Sequence, residues 1–163
     1  MHPNVQRVLA ALQAAGLTPE VREMPQSTAT AREAAEAVGT TVDRIVKSLL
    51  WLVDGEPVLV LVSGAHRVDE ARLARALAGL LGREPGSVRR ADASTVKAVT
   101  GFPVGGVPPA GHLRPLPTVV DRSLLDGGEA TLWAAAGTPR AVFATTAADL
   151  LRLTGGRPAE IAE

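Results

Sequence analysis

Two continuous apolar runs flanking Asp54-Gly55 constrain this chain more than any other feature. The first is Ile45-Val46-Lys47-Ser48-Leu49-Leu50-Trp51-Leu52-Val53; the second is Val58-Leu59-Val60-Leu61-Val62. Asp-Gly between apolar runs predicts a β-hairpin, because a type I′ turn needs positive φ at both central residues. Unbroken rather than alternating apolarity means that both faces of these strands are covered. The hairpin is therefore the centre of the fold.

Other elements fall into place around it. Val5, Val8, Leu9 and Leu12 keep helical spacing, with Pro3 near the first turn and Gly16 past the end. Residues 17–23 read as a short strand that Pro19 places at an edge. Thr30-Ala31-Arg32-Glu33 has the form of a capping box, and Gly39 closes the Ala-rich helix that follows. Asp69 caps a third helix with Leu73, Leu77 and Leu80 on one face. Residues 87–90 form a short strand, and a short helix runs from Asp92 to Gly101. Strands are expected at 118–120, 130–133 and 140–145, and a last helix runs from Thr146 to about Gly155. No repeat or linker interrupts the pattern. The expectation is one domain over residues 1–163, of mixed α/β (α+β) class.

Composition removes several classes of function. The 163 residues include no cysteine, so disulfides, Cys-ligated metals and a Cys nucleophile are excluded. Seventeen basic residues balance seventeen acidic ones, which is not the signature of a protein that grips nucleic acid by charge alone. The absence of tyrosine argues against a broad base-stacking platform. No apolar run reaches the ~20 residues of a membrane span. The start, Met1-His2-Pro3-Asn4, lacks the regions of a secretory signal, so a cytoplasmic location is expected. There is no G-x-x-x-x-G-K-[ST], G-x-G-x-x-G, G-x-S-x-G or H-E-x-x-H. Three scattered histidines leave no metal site to expect, and no cofactor is expected.

Candidate chemistry concentrates in three places. Residues 101–117 contain nine Gly or Pro in 17 positions. A stiff ribbon with bare N–H groups can form an oxyanion-binding concavity, or it can be an ordinary long connector. Lys47 lies within an apolar strand, in step with Leu49 and Trp51. It meets an anion there, or its stem crosses the rim of the core into solvent. Of the histidines, His112 lies inside the Gly/Pro ribbon, as a site residue or an exposed loop residue, whereas His66 reads as a loop residue. Arg67, Arg72, Arg75, Arg83, Arg89 and Arg90 form a solvated face or a weak dock for an RNA backbone.

Several segments together resemble a known family. Val46-Lys47-Ser48-Leu49-Leu50 follows an Ala-rich helix. Thr100-Gly101-Phe102-Pro103-Val104-Gly105-Gly106-Val107-Pro108-Pro109-Ala110-Gly111 follows later, then Thr118-Val119-Val120-Asp121, then Ala135-Ala136-Gly137. Over roughly residues 4–155 this resembles the YbaK family of aminoacyl-tRNA deacylases, relatives of the editing domain of bacterial prolyl-tRNA synthetases. The resemblance implies a mixed, barrel-like β-sheet surrounded by helices, and hydrolysis in trans of a mischarged small amino acid (Cys, Ala or similar) from tRNA. It implies that Lys47 and Gly101 serve catalysis, and that Ser48, Gly105, Gly106, Pro108, Gly111, His112 and Gly137 contact substrate. The expected partners are the tRNA 3′ end and an aminoacyl-tRNA synthetase, with neither membrane nor DNA. A non-catalytic module that binds an aminoacyl or nucleotide end is the alternative. Three departures stand out: Ser48 for the more usual Thr, Met24 and Pro25 where some members carry an aromatic, and Ala135 or Ala136 where a serine often precedes the second glycine motif.

Overall fold

A computed structural model describes residues 1–163. The hairpin forms as its turn chemistry requires. Strands β2 (Ile45–Val53) and β3 (Glu56–Ser63) pair antiparallel, with Asp54 at φ 52° and Gly55 at φ 82°. A non-glycine residue with positive φ is uncommon, and Asp is among the few that tolerate it.

The helices begin where side chains cap them, and four of the five end at a left-handed glycine. They are α1 (Pro3–Ala14), α2 (Ala31–Val38), α3 (Glu70–Leu81), α4 (Ala93–Thr100) and α5 (Ala147–Thr154). Thr30 and Glu33 complete the capping box of α2, while Asp69, Asp92 and Thr146 each accept a first-turn N–H of the helix that follows. The remaining strands are β1 (Val21–Glu23), β4 (Val88–Arg90), β5 (Thr118–Asp121), β6 (Leu132–Ala135), β7 (Ala141–Thr145) and β8 (Arg157–Ala159). They join β2 and β3 in one mixed sheet of order β1-β7-β6-β2-β3-β5-β8, with β4 added on β2. β1 and β8 are the two ends of this order.

Both faces of the hairpin are buried. Leu59 and Leu61 point into the main core with Val5, Val8 and Leu12 of α1, Phe102 and Phe143. Val58 and Val60 meet Leu73 and Leu77 of α3 on the other side. A smaller cluster packs Ala34 and Ala35 of α2 on Ile45 and Trp133.

Three details differ from the sequence-based expectation. β1 is Val21–Glu23 rather than 17–23, because the Leu17 N–H still turns back to the Leu12 carbonyl at the end of α1 (3.0 Å). β6 starts at Leu132, two residues late, because the Ala130 N–H closes a turn onto the Gly127 carbonyl (3.1 Å). β8 was not expected at all. Arg157-Pro158-Ala159 has no apolar alternation, and a proline is tolerated there only because β8 is an edge.

Candidate active site

The site is built on a break in the sheet. β6 pairs with β2 only at Ile45 and Val46, and β4 pairs with it only from Trp51 to Val53. The phase of the ladder follows from two bonds: Gly64 N–H to the Ile45 carbonyl (2.7 Å) and Ala91 N–H to the Leu50 carbonyl (3.0 Å). Even-numbered backbone groups of β2 thus face the β6/β4 side. The N–H and C=O of Ser48 lie in the gap and meet neither ladder. The Ser48 hydroxyl is also buried, and it has no hydrogen-bond partner. Buried polar groups in native proteins are almost always paired, so this cluster of unpaired ones needs an explanation.

A cavity of about 280 Å³ opens at this gap. Its walls are the segment 28–34 leading into α2, residues 45–50 of β2, Arg90, Val96, Trp133 to Ala135 and Val142. Val104, Gly105 and Val107 of the Gly/Pro ribbon close it. Lys47 and Ser48 therefore share one cavity with the ribbon. The lining is mainly Ala, Val and Leu, with Lys47 and Arg90 as its cations.

Lys47 is half-buried, on the strand face of Leu49 and Trp51. Its ammonium donates to the His66 carbonyl at 2.6 Å. Burial, then Arg90 and Arg67, hold its pKa below the ordinary lysine value, with Asp121 opposing them. Arg90 also lies over the Trp51 ring at 5.8 Å. Neither Arg67 nor Arg90 forms an ion pair with a carboxylate, so positive charge gathers around Lys47 without direct neutralisation.

The ribbon lines the cavity only through its middle, and Gly101 and Gly106 stand outside the lining. Gly101 is the C-cap of α4, and its carbonyl accepts from Arg7 (3.1 Å). Gly106 lies against the backbone of Thr138; a Cβ there would stand 2.7 Å from the Thr138 carbonyl carbon. Only glycine permits that approach. Gly137 N–H donates to the Gly106 carbonyl (2.9 Å), which ties the two glycine segments together behind the cavity. Pro108, Gly111 and Gly137 do not line the cavity either. Gly111 packs on α1 beside Ala11. The His112 Nε2 lies 2.7 Å from the Pro108 carbonyl, and its ring meets Phe102 edge-on. Burial first, and Arg7 as well, lower the His112 pKa, although the bond to Pro108 opposes them. His112 is thus a partly buried brace of the ribbon that stands outside the Lys47 cavity.

Three groups escaped the sequence reading. Arg7 stacks its guanidinium 4.0 Å from the Phe102 ring centroid and holds the ribbon from α1. Arg90 was seen only as part of a basic stretch. His66 is not an ordinary loop residue, since its Nδ1 lies 3.1 Å from Asp121 Oδ2 and 3.0 Å from Ser123 Oγ. The one available signal was Asp121 itself, a carboxylate ending an otherwise apolar strand in the motif Thr-Val-Val-Asp.

No helix is long and apolar enough to cross a membrane. A solved structure described as a proposed trans-editing enzyme for prolyl tRNA synthetase is 44% identical, with a TM-score of 0.88; the match covers 100% of this chain and 99% of that one. A proline–tRNA ligase of Maridesulfovibrio salexigens is 37% identical over 82 residues, which is 50% of this chain and 13% of the ligase. That of Desulforamulus reducens is 33% identical over 114 residues, 66% of this chain and 19% of the ligase. The chain thus spans less than a fifth of these two curated relatives. The aminoacyl-tRNA editing domain model matches residues 25–153, which include the cavity, the ribbon and both glycine segments. On that match, the chain belongs to the aminoacyl-tRNA editing domain family.

Proposed function

We propose that this editing-family deacylase hydrolyses, in trans, the ester between a mischarged small amino acid and the 3′-terminal ribose of tRNA. The observation that carries the reading is the cavity at the break in β2. Pockets for drug-sized ligands run from ~300 to ~1,000 Å³. A volume of about 280 Å³ suits an aminoacyl group with its adenosine at the mouth, not a whole nucleotide. The apolar lining suits a small side chain, and the free Ser48 groups suit the polar ester. The 44% identity to a solved structure described as a proposed trans-editing enzyme supports action in trans, in the cytoplasm where charged tRNA is found. A prolyl-tRNA synthetase is the natural partner in this reading.

The chemistry needs an attacking water and donors for the developing oxyanion. The cavity lining contains no cysteine and no histidine, and its Ser and Thr hydroxyls make no bond to Lys47, whose ammonium goes to the His66 carbonyl, so no nucleophile–base pair is formed there. Water is the nucleophile, oriented by the free ribose hydroxyl of the substrate. Backbone N–H groups of β2 and of the ribbon at Gly105 hold the carbonyl oxygen. Lys47 anchors the phosphate or the ester end.

The test is deacylation across a panel of mischarged tRNAs, beginning with those for proline, with Lys47→Ala beside the parent. A fall of about a hundredfold in kcat/KM, or ~2.7 kcal/mol of transition-state stabilisation, is expected for the variant. A parent that hydrolyses no aminoacyl-tRNA above background refutes the function. A variant as fast as the parent refutes the role given to the lysine.

A further inference from the structure

Behind the cavity lies a cluster of polar groups that the reaction as described does not use. The carbonyl that receives the Lys47 ammonium belongs to the turn leaving β3. There the His66 N–H donates to the Ser63 carbonyl (2.9 Å), and the Ala65 N–H to Ser63 Oγ (3.2 Å). The His66 ring is held through Nδ1 by Asp121 and Ser123. Asp121 is only 2% exposed. It accepts from the Ser63 N–H (3.2 Å) and the Ser123 N–H (3.0 Å). A carboxylate this buried is costly unless its lone pairs are filled, and here Oδ2 is engaged by the turn that seats the lysine and Oδ1 by the Ser123 N–H. The cluster is not a Ser–His–Asp relay. A relay places the serine and the aspartate on opposite ring nitrogens; here both lie against Nδ1.

We propose that Asp121 is a positioning residue for the editing site, fixing through the His66 ring the carbonyl that seats the Lys47 ammonium. The proposal rests on the role given to Lys47 above. Asp121 acts on Lys47 in a second way, through charge. Arg90 on β4 and Arg67 beside His66 both disfavour the ammonium, as does burial, and Asp121 on β5 is the charge that favours it. The remaining titratable neighbours of this turn are the His66 ring and Asp43, whose main-chain carbonyl accepts from Ser63 Oγ (3.2 Å). Loss of the Asp121 charge therefore shifts the Lys47 equilibrium towards the neutral amine.

The chain offers a direct readout, because Lys47 and Lys97 are its only lysines. Labelling lysine with ¹³C at Cε gives two NMR signals, with Lys97, exposed on α4, as internal reference. In Asp121→Asn the Lys47 midpoint moves to lower pH and the Lys97 midpoint stays. The alkaline limb of deacylation moves down with Lys47, since the ammonium is the working form. Misplacement of the lysine lowers kcat/KM between roughly tenfold and a hundredfold. In a Lys47→Ala background the same substitution has no further effect. His66→Asn, whose amide can donate to Asp121 from nearly the place of Nδ1, stays closer to the parent than His66→Ala. If Asp121→Asn does not fold, His66→Ala carries the test, because it cuts the ring link and leaves the backbone anchors of Asp121. An unchanged Lys47 titration and activity in the folded variant overturns the proposal. So does an equal loss with and without the Lys47 side chain. A parent inactive on every aminoacyl-tRNA refutes the function instead, while the lysine titration still decides the link to Asp121.

Discussion

The two ends of β2 are opposite in kind. At the turn end the Asp54 carboxylate and the backbone are engaged, although the buried Trp51 indole N–H, three residues before Asp54, has no partner. The Asp54 carboxylate takes the N–H groups of Gly86 and Ser87 at 2.8 Å each and the Arg83 guanidinium at 2.7 Å, and the Asp54 N–H donates to the Ser87 carbonyl. At the other end, six residues away, Ser48 has a buried hydroxyl with no partner, in a gap that no neighbouring strand fills. One strand therefore carries both a turn end locked by the Asp54 carboxylate and, at Ser48, a stretch whose backbone meets no neighbouring strand. Sequences that satisfy local rules elsewhere and break them in one place mark that place as functional.

Three substitutions sharpen or break this contrast. The largest effect is expected in β3, the partner strand that runs beside both ends of β2. Leu59→Ala removes a fully buried side chain from the main core and should cost about 2–5 kcal/mol in urea unfolding. A cost under ~1 kcal/mol would mean that burial on both faces is not what holds the hairpin. Gly55→Ala forces a Cβ into a position at φ 82° and should cost about 1–2 kcal/mol, with deacylation by the folded protein unchanged. A loss of activity there would couple the turn to the cavity and blur the distinction. Ser48→Ala should have the smallest effect on stability and the opposite sign. Removing a buried hydroxyl that has no partner leaves stability unchanged or raises it by up to about 1 kcal/mol. Activity should nevertheless fall by about tenfold, the value of one hydrogen bond to the reacting group. A destabilised Ser48→Ala would show that its hydroxyl is already paired within the protein.

The sequence made legible whatever was decided within a few residues. Asp54-Gly55, the box Thr30-Glu33 and the caps Asp69 and Asp92 act through bonds to the adjacent backbone, and each fixed its element. Lys47 could be singled out because an ammonium in an apolar strand breaks a local pattern. What was not legible depends on partners distant in the chain. The importance of Ser48 comes from where β6 stops and β4 starts, some 85 and 40 residues downstream. The task of His66 comes from Asp121, 55 residues away. The motif around the second glycine segment pointed to the right region. It could not show that Gly106 and Gly137 serve to press two backbones together behind the cavity, rather than to face it.

Helix α1 lies outside the matched family residues, yet it holds both glycine segments. Asn4 donates to the Gly137 carbonyl at 3.0 Å and Arg7 to the Gly101 carbonyl at 3.1 Å. Both bonds end on main-chain oxygens, which every amino acid possesses. Yet a Cβ at Gly101 would stand 2.6 Å from Arg7 Nη2 and one at Gly137 would stand 2.9 Å from the Asn4 carbonyl oxygen, so each bond can be lost by substitution at the helix or at the glycine that receives it. The shape of the ribbon is thus partly written a hundred residues upstream, and any fusion or trimming that unwinds the first three turns would be felt at the far wall of the cavity.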